Sequence, residues 1–420
     1  MAAAAGPFVA TAFLYAAACW RGEAALRHEV QQIEHRGEPL RFADLAPSSD
    51  DPALARGKSI SALLDDVPVG EWSFIEATKD TLSAEQHAQL IETVDKNLRR
   101  CRAIAEMASE GKCRFSYDFA TTVPGATLLP QVQKISDVAI VLFFAAERSL
   151  AASNYPEALG DIDRLFIIAE LLRSEPFYVS QLVRVRLAGQ GLDALQSLVG
   201  LADLEPEQAG RLDRTLASME QAFRLRTTVL AERSAEMTTL ENLGQPEMGD
   251  YLASVESISS MSPIIPFAKT KNRWWGSWVY RPRRWFAQAI LLRTESHISE
   301  IIDEPGPAAS AEVETTSRDF HSRNDIPAED MLVNPESPRK KSLLHRQRLV
   351  SARLALAAVR YRKKHGALPK SLDELDSSRA GLLSGKPLLY EKTSEGFAIY
   401  DELPEQGRFE VKFSNQRNER

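Results

Sequence analysis

The sequence predicts a mainly α-helical protein: an irregular helical bundle or solenoid body, followed by a small C-terminal α+β module with a helix plus about three antiparallel strands. Between residues 81 and 302, apolar side chains recur at helical spacing and capping signals accompany them. Near the C-terminus, three short runs alternate apolar and polar residues, which is typical of strands. The chain has 420 residues, 44% of them hydrophobic and 26% charged, so it is long enough to bury a sizeable core.

Residues 1–20 predict a membrane anchor or a signal. The stretch AAAAGPFVATAFLYAAACW has no charged side chain, and about nineteen helical residues nearly span a hydrocarbon core. Three other interpretations stay open: a cleaved signal peptide with small residues at Ala16 and Ala18, a lipoprotein site at Cys19, and an alanine-rich helix packed on the body. We expect a protein of the cell membrane or cell envelope, with a single-pass anchor.

A membrane-proximal helix and a loop are expected over residues 21–80. The helical spacing of apolar residues stops at Gly37, which predicts the end of the helix. In the loop, Asp51 and Pro52 have the residue types of an N-cap and of a first helical position. A short helix is therefore predicted from residue 52.

The helical body is predicted over residues 81–302. Its first helix begins at a capping box formed by Ser83 and Gln86 and ends at Gly111. After an ordered loop, the sequence predicts further helices at about 131–152, 157–173, 177–200, 206–243 and 282–302.

One join in the body resembles a tetratricopeptide hairpin. In AAERSLAASNYPEALGDIDRLFIIAELL, Pro156 stands at the start of the second helix, and Ala145 and Ala158 would let the two helices approach closely. The resemblance covers one hairpin of about 35 residues, whereas repeat arrays stack several copies. It implies a TPR-like packing of this helix pair.

Residues 303–341 are predicted to be a linker or a strap. The segment is rich in proline, small and acidic residues and poor in large apolar side chains, so it buries too little surface to offset the entropy of ordering.

The module is predicted over residues 342–420. Its amphipathic helix ends at Gly366, and Pro369 prevents continuation. Ser371 and Glu374 make a capping box for a short helix. The runs PLLYEKT, GFAIYDEL and RFEVKF then predict three strands.

Two resemblances accompany this organisation. The order of a helix, HGALPKSLDEL and a short sheet resembles the globular part of type II secretion major pseudopilins, although LLSGKP replaces the family's Asp-Pro-Trp-Gly turn and the basic helix is unsuited to the spine of a pilus. The runs CRFSYDF, TLLPQVQKI, EPFYVSQLVRVRL and YRPRRWFAQAILL resemble an uncharacterised family of membrane-anchored helical bacterial proteins. This second resemblance implies an architecture and a location, and it supplies no catalytic residue.

Residues 268–286 combine tryptophans with basic side chains and have no acidic residue. Indole rings and cations suit an anionic lipid interface. The same mixture could stack on sugars or on single-stranded nucleic acid, or the rings could plug the end of the helical body. The candidate residues for lipid or partner contact are Trp274, Trp275, Trp278, Arg281, Arg283, Arg284 and Trp285.

Gln181 and Arg184 form a second candidate site on a predicted helix. A buried arginine needs a carboxylate, and the preceding helix offers three candidates, Glu170, Asp161 and Asp163. An ion pair is the first interpretation. Binding of a small anion by Arg184 and Gln181 is the alternative.

The sequence has no HExxH, GxSxG, P-loop or dinucleotide-binding pattern, so we assign no catalytic, cofactor-binding or metal-binding residue. The acidic residues near His297, which are Glu295, Glu300 and Glu304, are interpreted as a solvated helix face. A net charge of −7 disfavours a nucleic-acid partner. Cys101 and Cys113 are either paired or two buried free thiols.

These observations favour a non-enzymatic scaffold or partner-binding protein of the cell envelope, with a membrane contact through the N-terminal segment and an unidentified protein partner. The first alternative is an envelope enzyme of the hydrolase class with a cleft between the body and the module. The second is a small-anion binder that uses Arg184.

Overall fold

The computed structural model describes residues 5–67, 84–121, 123–124, 129–242, 281–323, 335–375, 381–382, 384–402 and 408–413. These residues are mainly helical and include a small three-stranded antiparallel sheet near the C-terminus, which confirms the predicted fold class. The helices are α1 Ala5–Arg36, α2 Pro52–Asp65, α3 Ala84–Ser109, α4 Pro130–Ala151, α5 Tyr155–Glu170, α6 Tyr178–Leu201, α7 Pro206–Ala222, α8 Arg226–Asn242, α9 Arg281–Ile301, α10 Pro307–Arg323 and α11 Glu336–His365. The strands are β1 Leu389–Lys392, β2 Gly396–Tyr400 and β3 Phe409–Lys412.

Local capping rules fix several helix ends as predicted. The carboxylate of Asp51 accepts a hydrogen bond from the backbone N–H of Ala53 at 2.8 Å, and Pro52 opens α2. Pro156 lies in the first turn of α5. Gly366 ends α11 in the left-handed conformation, with φ of 77°.

The helix predicted over residues 206–243 is in fact two helices, α7 and α8. The break buries Phe223 and Leu225, and the carboxylate of Asp303 accepts the backbone N–H groups of Leu225 and Arg226 at 2.8 and 3.1 Å. A side chain almost 80 residues away in the sequence therefore caps the start of α8. Local periodicity could not predict this break, because the contact joins distant parts of the chain.

The segment predicted as a linker or strap contains the helix α10 instead. Ala309, Val313, Ser317 and Phe320 are all buried and recur at helical spacing. Val313 belongs to the same hydrophobic cluster as Ile298 of α9. The sparse apolar stripe is therefore sufficient for a helix because neighbouring helices cover it.

One hydrophobic cluster extends through both the predicted body and the predicted module, with members from Ile60 to Val411. Helix α11 packs against α6 and α7, and β3 packs against α6. In the sheet, whose strand order is β1-β2-β3, Phe397 lies opposite Val411 and both are fully buried. The helix and sheet of the module thus complete the core of the body.

Helices α1 and α9 pack side by side and run parallel. Gly22 lies against Pro282 and Phe286 near the start of α9, and Arg293 donates to Glu29 two to three turns further along both helices, with 2.9 Å between Nε and Oε1. This register leaves the first residues of α1 beyond the start of α9. Of the helices that the structure describes, none is both long and apolar enough to cross a membrane.

Candidate functional site

The predicted tryptophan-rich surface lies mostly outside the described residues. This is so for Trp274, Trp275 and Trp278, and for the side chains of Arg281 and Arg283. Trp285 and Arg284 are described and lie half-buried in the first turn of α9. Trp285 faces α1, because a Cβ added to Gly22 would lie 3.3 Å from its own Cβ.

The N-terminal end of α1 exposes large apolar side chains. Phe13 is 74% exposed, and Leu14 and Trp20 are each 68% exposed. Phe286 of α9, which approaches Gly22 of α1, is also exposed. We call Phe13, Leu14, Trp20 and Phe286 the N-terminal apolar surface.

Arg184 forms the ion pair that the sequence predicted. The residue is 1% exposed, and its Nε donates to Glu170 Oε1 at 3.0 Å. Of the other two predicted carboxylates, Asp161 pairs with Arg102, and Asp163 pairs with Arg211. Burial lowers the pKa of Arg184, and Glu170 opposes this shift.

Gln181 links Arg184 to the connection between α5 and α6. Its side-chain amide donates to the carbonyl oxygens of Leu172 and Glu175 at 2.9 and 2.7 Å, and its Oε1 accepts from Arg184 at 3.3 Å. The structure therefore brings the two predicted residues together. Gln181 and Arg184 donate to acceptors within the protein, and these hydrogen bonds hold the connection between α5 and α6 in place.

Two further side chains extend this cluster towards α11. The guanidinium of Arg184 lies 4.4 Å from the ring centroid of Phe223, and the ring of His345 lies 4.9 Å from the same centroid. Burial lowers the pKa of His345 to about 3, and the charges of Arg348 and Arg184 act in the same direction. His345 was not predicted, since a lone histidine among dispersed ones carries no motif.

Glu175 is a second unpredicted member. It is 3% exposed, accepts the hydroxyl of Tyr117, and lies 3.5 Å from the backbone nitrogen of Phe115. Burial raises its pKa to about 7, although these hydrogen bonds and Arg114 oppose the shift. The aromatic side chain of Tyr117, between α3 and α4, thus helps to enclose a carboxyl group.

A separate buried acidic cluster lies where α6, α8 and α9 meet. Glu295 is buried rather than part of a solvated face, which corrects the expectation for this residue. Burial raises its pKa, and the nearby charge of Glu232 raises it further, while Arg233 opposes the shift. Glu232 accepts the backbone N–H of Tyr178 at 2.9 Å, so it also caps the start of α6.

The described part of the helical body has a groove and a pocket on its surface. A groove of about 510 Å³ lies between α4 and α6, lined by Phe143, Phe144, Glu147, Arg186 and Asp193 among others. A pocket of about 380 Å³ lies between the ends of α3 and α5 and the side of α7, and Glu170 is part of its wall. The ion pair of Arg184 therefore stands directly behind this second cavity.

The polar side chains around Arg184 form hydrogen bonds with other groups of the protein. Arg184 bonds to Glu170, Gln181 bonds to the connection between α5 and α6, and Glu175 accepts from Tyr117. In the described ranges, no group of three or more His, Cys, Asp or Glu side chains is arranged to hold a metal ion. Comparison of the chain with protein-family models, with curated proteins and with solved structures gives no match.

Proposed function

We propose that this protein is a non-enzymatic scaffold of the cell envelope that attaches to a membrane through the N-terminal end of α1 and binds a protein partner. The observation that carries the proposal is the N-terminal apolar surface. Phe13, Leu14 and Trp20 are the most exposed large apolar side chains among the described residues.

Exposed apolar side chains in water are unfavourable, and transfer of each to an apolar environment contributes about 1.5–3 kcal/mol. Tryptophan prefers the boundary between headgroups and acyl chains. Trp20 is followed directly by Arg21 in the sequence, and Arg284 lies in the first turn of the adjoining α9. A surface with apolar groups and flanking cations suits an anionic bilayer.

The buried polar groups support a scaffold more than an enzyme. Arg184 and Glu170 pair with each other, and Arg233, which is fully buried, donates to Glu38 at 3.1 Å and to Ser296 at 2.8 Å. Such pairs rigidify helix junctions. The hydrolase alternative has less support because the junction of α6 with α11 and β3, where its cleft would lie, is part of the hydrophobic core.

The groove between α4 and α6 is the surface that best suits a protein partner. Phe143 and Phe144 are only half-buried in it, and Glu147, Arg186 and Asp193 supply polar groups around the two rings. Aromatic side chains surrounded by polar groups are typical of binding surfaces. A partner with an apolar side chain for the two rings would bury them.

Co-sedimentation with vesicles tests the membrane attachment. We expect the full chain to sediment with phosphatidylserine-containing vesicles, and the triple variant Phe13→Ser/Leu14→Ser/Trp20→Ser to lose at least about tenfold in partitioning, since each substitution removes apolar transfer energy. The matched control is Ile91→Ser/Val179→Ser/Leu389→Ser, which removes three exposed apolar side chains elsewhere. Equal sedimentation of both variants and the parent would contradict the attachment through α1.

Site-specific photocrosslinking in producing cells tests the partner. A photoreactive amino acid at Phe144 should yield a discrete adduct with one protein, because this ring lies in the groove. The same group at the exposed Val179 should not yield that adduct. The same adduct from both positions, or none from Phe144, would remove the groove from the proposal.

A further inference from the structure

We propose that the pocket between α3, α5 and α7 binds a small amphipathic monoanion, with an apolar body on the pocket floor and an anionic head at the basic rim. The pocket has a volume of about 380 Å³, which lies within the range of about 300–1,000 Å³ that small-molecule sites occupy. This site is separate from the N-terminal apolar surface and from the groove between α4 and α6.

The floor of the pocket is apolar. It includes Ala108 from α3, Phe166 from α5, Leu171 just after α5, and Met219 from α7, all of them buried. Cys113 adds a buried thiol, and burial raises its pKa to about 12. This thiol is therefore protonated at neutral pH and acts as a further apolar group.

The rim of the pocket is basic. Lys112 and Arg173 line it, and Arg56 donates to the carbonyl oxygen of Lys112 at 2.9 Å, which places a third cation at the same edge. Thr215 and Ser218 of α7 add hydroxyl groups opposite them. Cations and hydroxyl donors are the groups that bind a carboxylate or another small anion.

The negative groups nearby do not cancel this charge. The buried Arg184 neutralises the charge of Glu170 in the wall. The second carboxylate oxygen of Glu170 lies 3.7 Å from Arg173. The ends of α3 and α5 each contribute about half a negative charge, and Glu110 adds one at the surface outside the lining. Glu175, whose charge acts on the Cys113 thiol, has a pKa of about 7 and is therefore only partly ionised at neutral pH. Three cations against about two and a half negative charges leave the rim positive.

Arg184 keeps the ion pair that the sequence predicted and does not bind the anion directly, which was the alternative. Its donors are directed at Glu170 and Gln181, so it does not reach an anion itself. It holds Glu170 in the wall and removes that residue's net charge from the pocket. The anion-binding groups are the exposed Lys112 and Arg173, whose spacing in the sequence gave no signal.

Isothermal titration calorimetry with octanoate, below its micellar range, tests the proposal on the full chain. We expect saturable binding of octanoate with one site per chain. Octanol has the same apolar body without the charge, octylammonium has the opposite charge, and acetate has the charge without the body. Each should bind at least about tenfold more weakly, because head and body both contribute. Octyl phosphate distinguishes a carboxylate site from one that accepts any anionic head.

Variants identify the pocket. Lys112→Gln and Arg173→Gln should each weaken octanoate binding about tenfold, as expected for loss of a charge-assisted contact, and Ser218→Trp should abolish it by filling the mouth. These residues are exposed, so the fold should be retained. The control Arg214→Gln removes an exposed charge from α7 outside the lining and should bind as the parent does.

Three results would overturn the proposal. The first is the absence of saturable octanoate binding. The second is equal affinity for octanoate and octanol, which would indicate an apolar site without anion recognition. The third is unchanged octanoate affinity in Lys112→Gln, Arg173→Gln and Ser218→Trp, which would place any binding elsewhere. None of these results bears on vesicle attachment.

Discussion

Gly200 of α6 faces the carbonyl oxygen of Lys412 in β3 so closely that a Cβ on Gly200 would lie 2.1 Å from that oxygen. Real Cβ atoms do not come so near a backbone oxygen. The absence of a side chain at Gly200 therefore lets the sheet lie directly on the helical body, and it couples the C-terminal strand to the core that α6 shares with α11.

Gly200→Ala should lower the free energy of unfolding by about 1–3 kcal/mol, since the sheet or the helix must shift to admit the methyl group. Urea denaturation measures the change. Gly210→Ala in α7 is the matched control: its Cβ would meet only the guanidinium of Arg214, at 3.7 Å, so replacement of a mid-helix glycine should stabilise the protein by about 0.5–1 kcal/mol. Equal effects of the two substitutions would show that the close approach at Lys412 is relieved without cost.

Local sequence signals predicted most elements of this fold, and the exceptions share a cause. Helices α4, α5, α6 and α9 and the three strands lie close to their predicted positions, because caps and apolar periodicity are read within a few residues. The break between α7 and α8 depends on Asp303, and α10 depends on cover from α9. Both depend on contacts between residues far apart in the sequence, so local patterns do not predict them.

Glu175 predicts a specific dependence of stability on pH. Its pKa in the folded protein is about 7, above the 4.5 of an ordinary glutamate. Between these values the folded state retains a proton that the unfolded state releases, so the free energy of unfolding falls as pH rises from about 4.5 to 7. Over this window the contribution amounts to about 2–3 kcal/mol.

Glu175→Gln isolates this contribution, because the amide oxygen can still accept the hydroxyl of Tyr117 but the side chain does not ionise. The variant should gain stability relative to the parent as pH rises from 4.5 to 7, measured by urea denaturation. The comparison cancels the effect of His345, whose lowered pKa makes stability fall as pH drops below 6.5. The exposed Glu110→Gln serves as control, and a variant curve parallel to the parent's would refute the assignment.

For the pair of Arg184 with Glu170, we expect a single substitution to lower the free energy of unfolding much more than a double substitution does. Glu170→Gln leaves Arg184 buried without its countercharge, and we expect a loss of about 2–3 kcal/mol in the free energy of unfolding, since Glu170 itself is partly exposed. The double variant Arg184→Met/Glu170→Leu removes both charges and should recover most of that loss.

The control for this pair is Glu314→Gln, which breaks an ion pair with Arg318 on the surface of α10. Exposed pairs contribute about 0–1 kcal/mol, so a small change is expected. If Glu170→Gln costs no more than Glu314→Gln, the buried arginine has another countercharge or is solvated, and the structural interpretation of the pair is wrong.

The candidate sites were predicted less completely than the fold. The sequence singled out Arg184 because a cation stood among apolar residues, and it offered Glu170 as one of three partners; the structure selects Glu170. Glu295 was interpreted as part of a solvated face and Glu175 was not singled out, since single carboxylates carry no pattern, and only the packing of other elements buries them. The burial of these two carboxyl groups is set by tertiary structure, and their neighbours in the sequence do not indicate it.

The cysteines predict one reactive thiol per folded chain. Cys101 and Cys113 are buried and free, as one of the two sequence interpretations expected, and burial raises the pKa of each to about 12. Because the thiolate is the reacting species, both should react with an aromatic disulfide reagent at pH 8 at least about a hundredfold more slowly than an accessible thiol. Cys19 is partly exposed on α1 and should supply the fast phase. Without reductant, the unfolded chain should titrate three thiols, and Cys19→Ser should remove only the fast one; a single thiol after unfolding would show instead that Cys101 and Cys113 are joined.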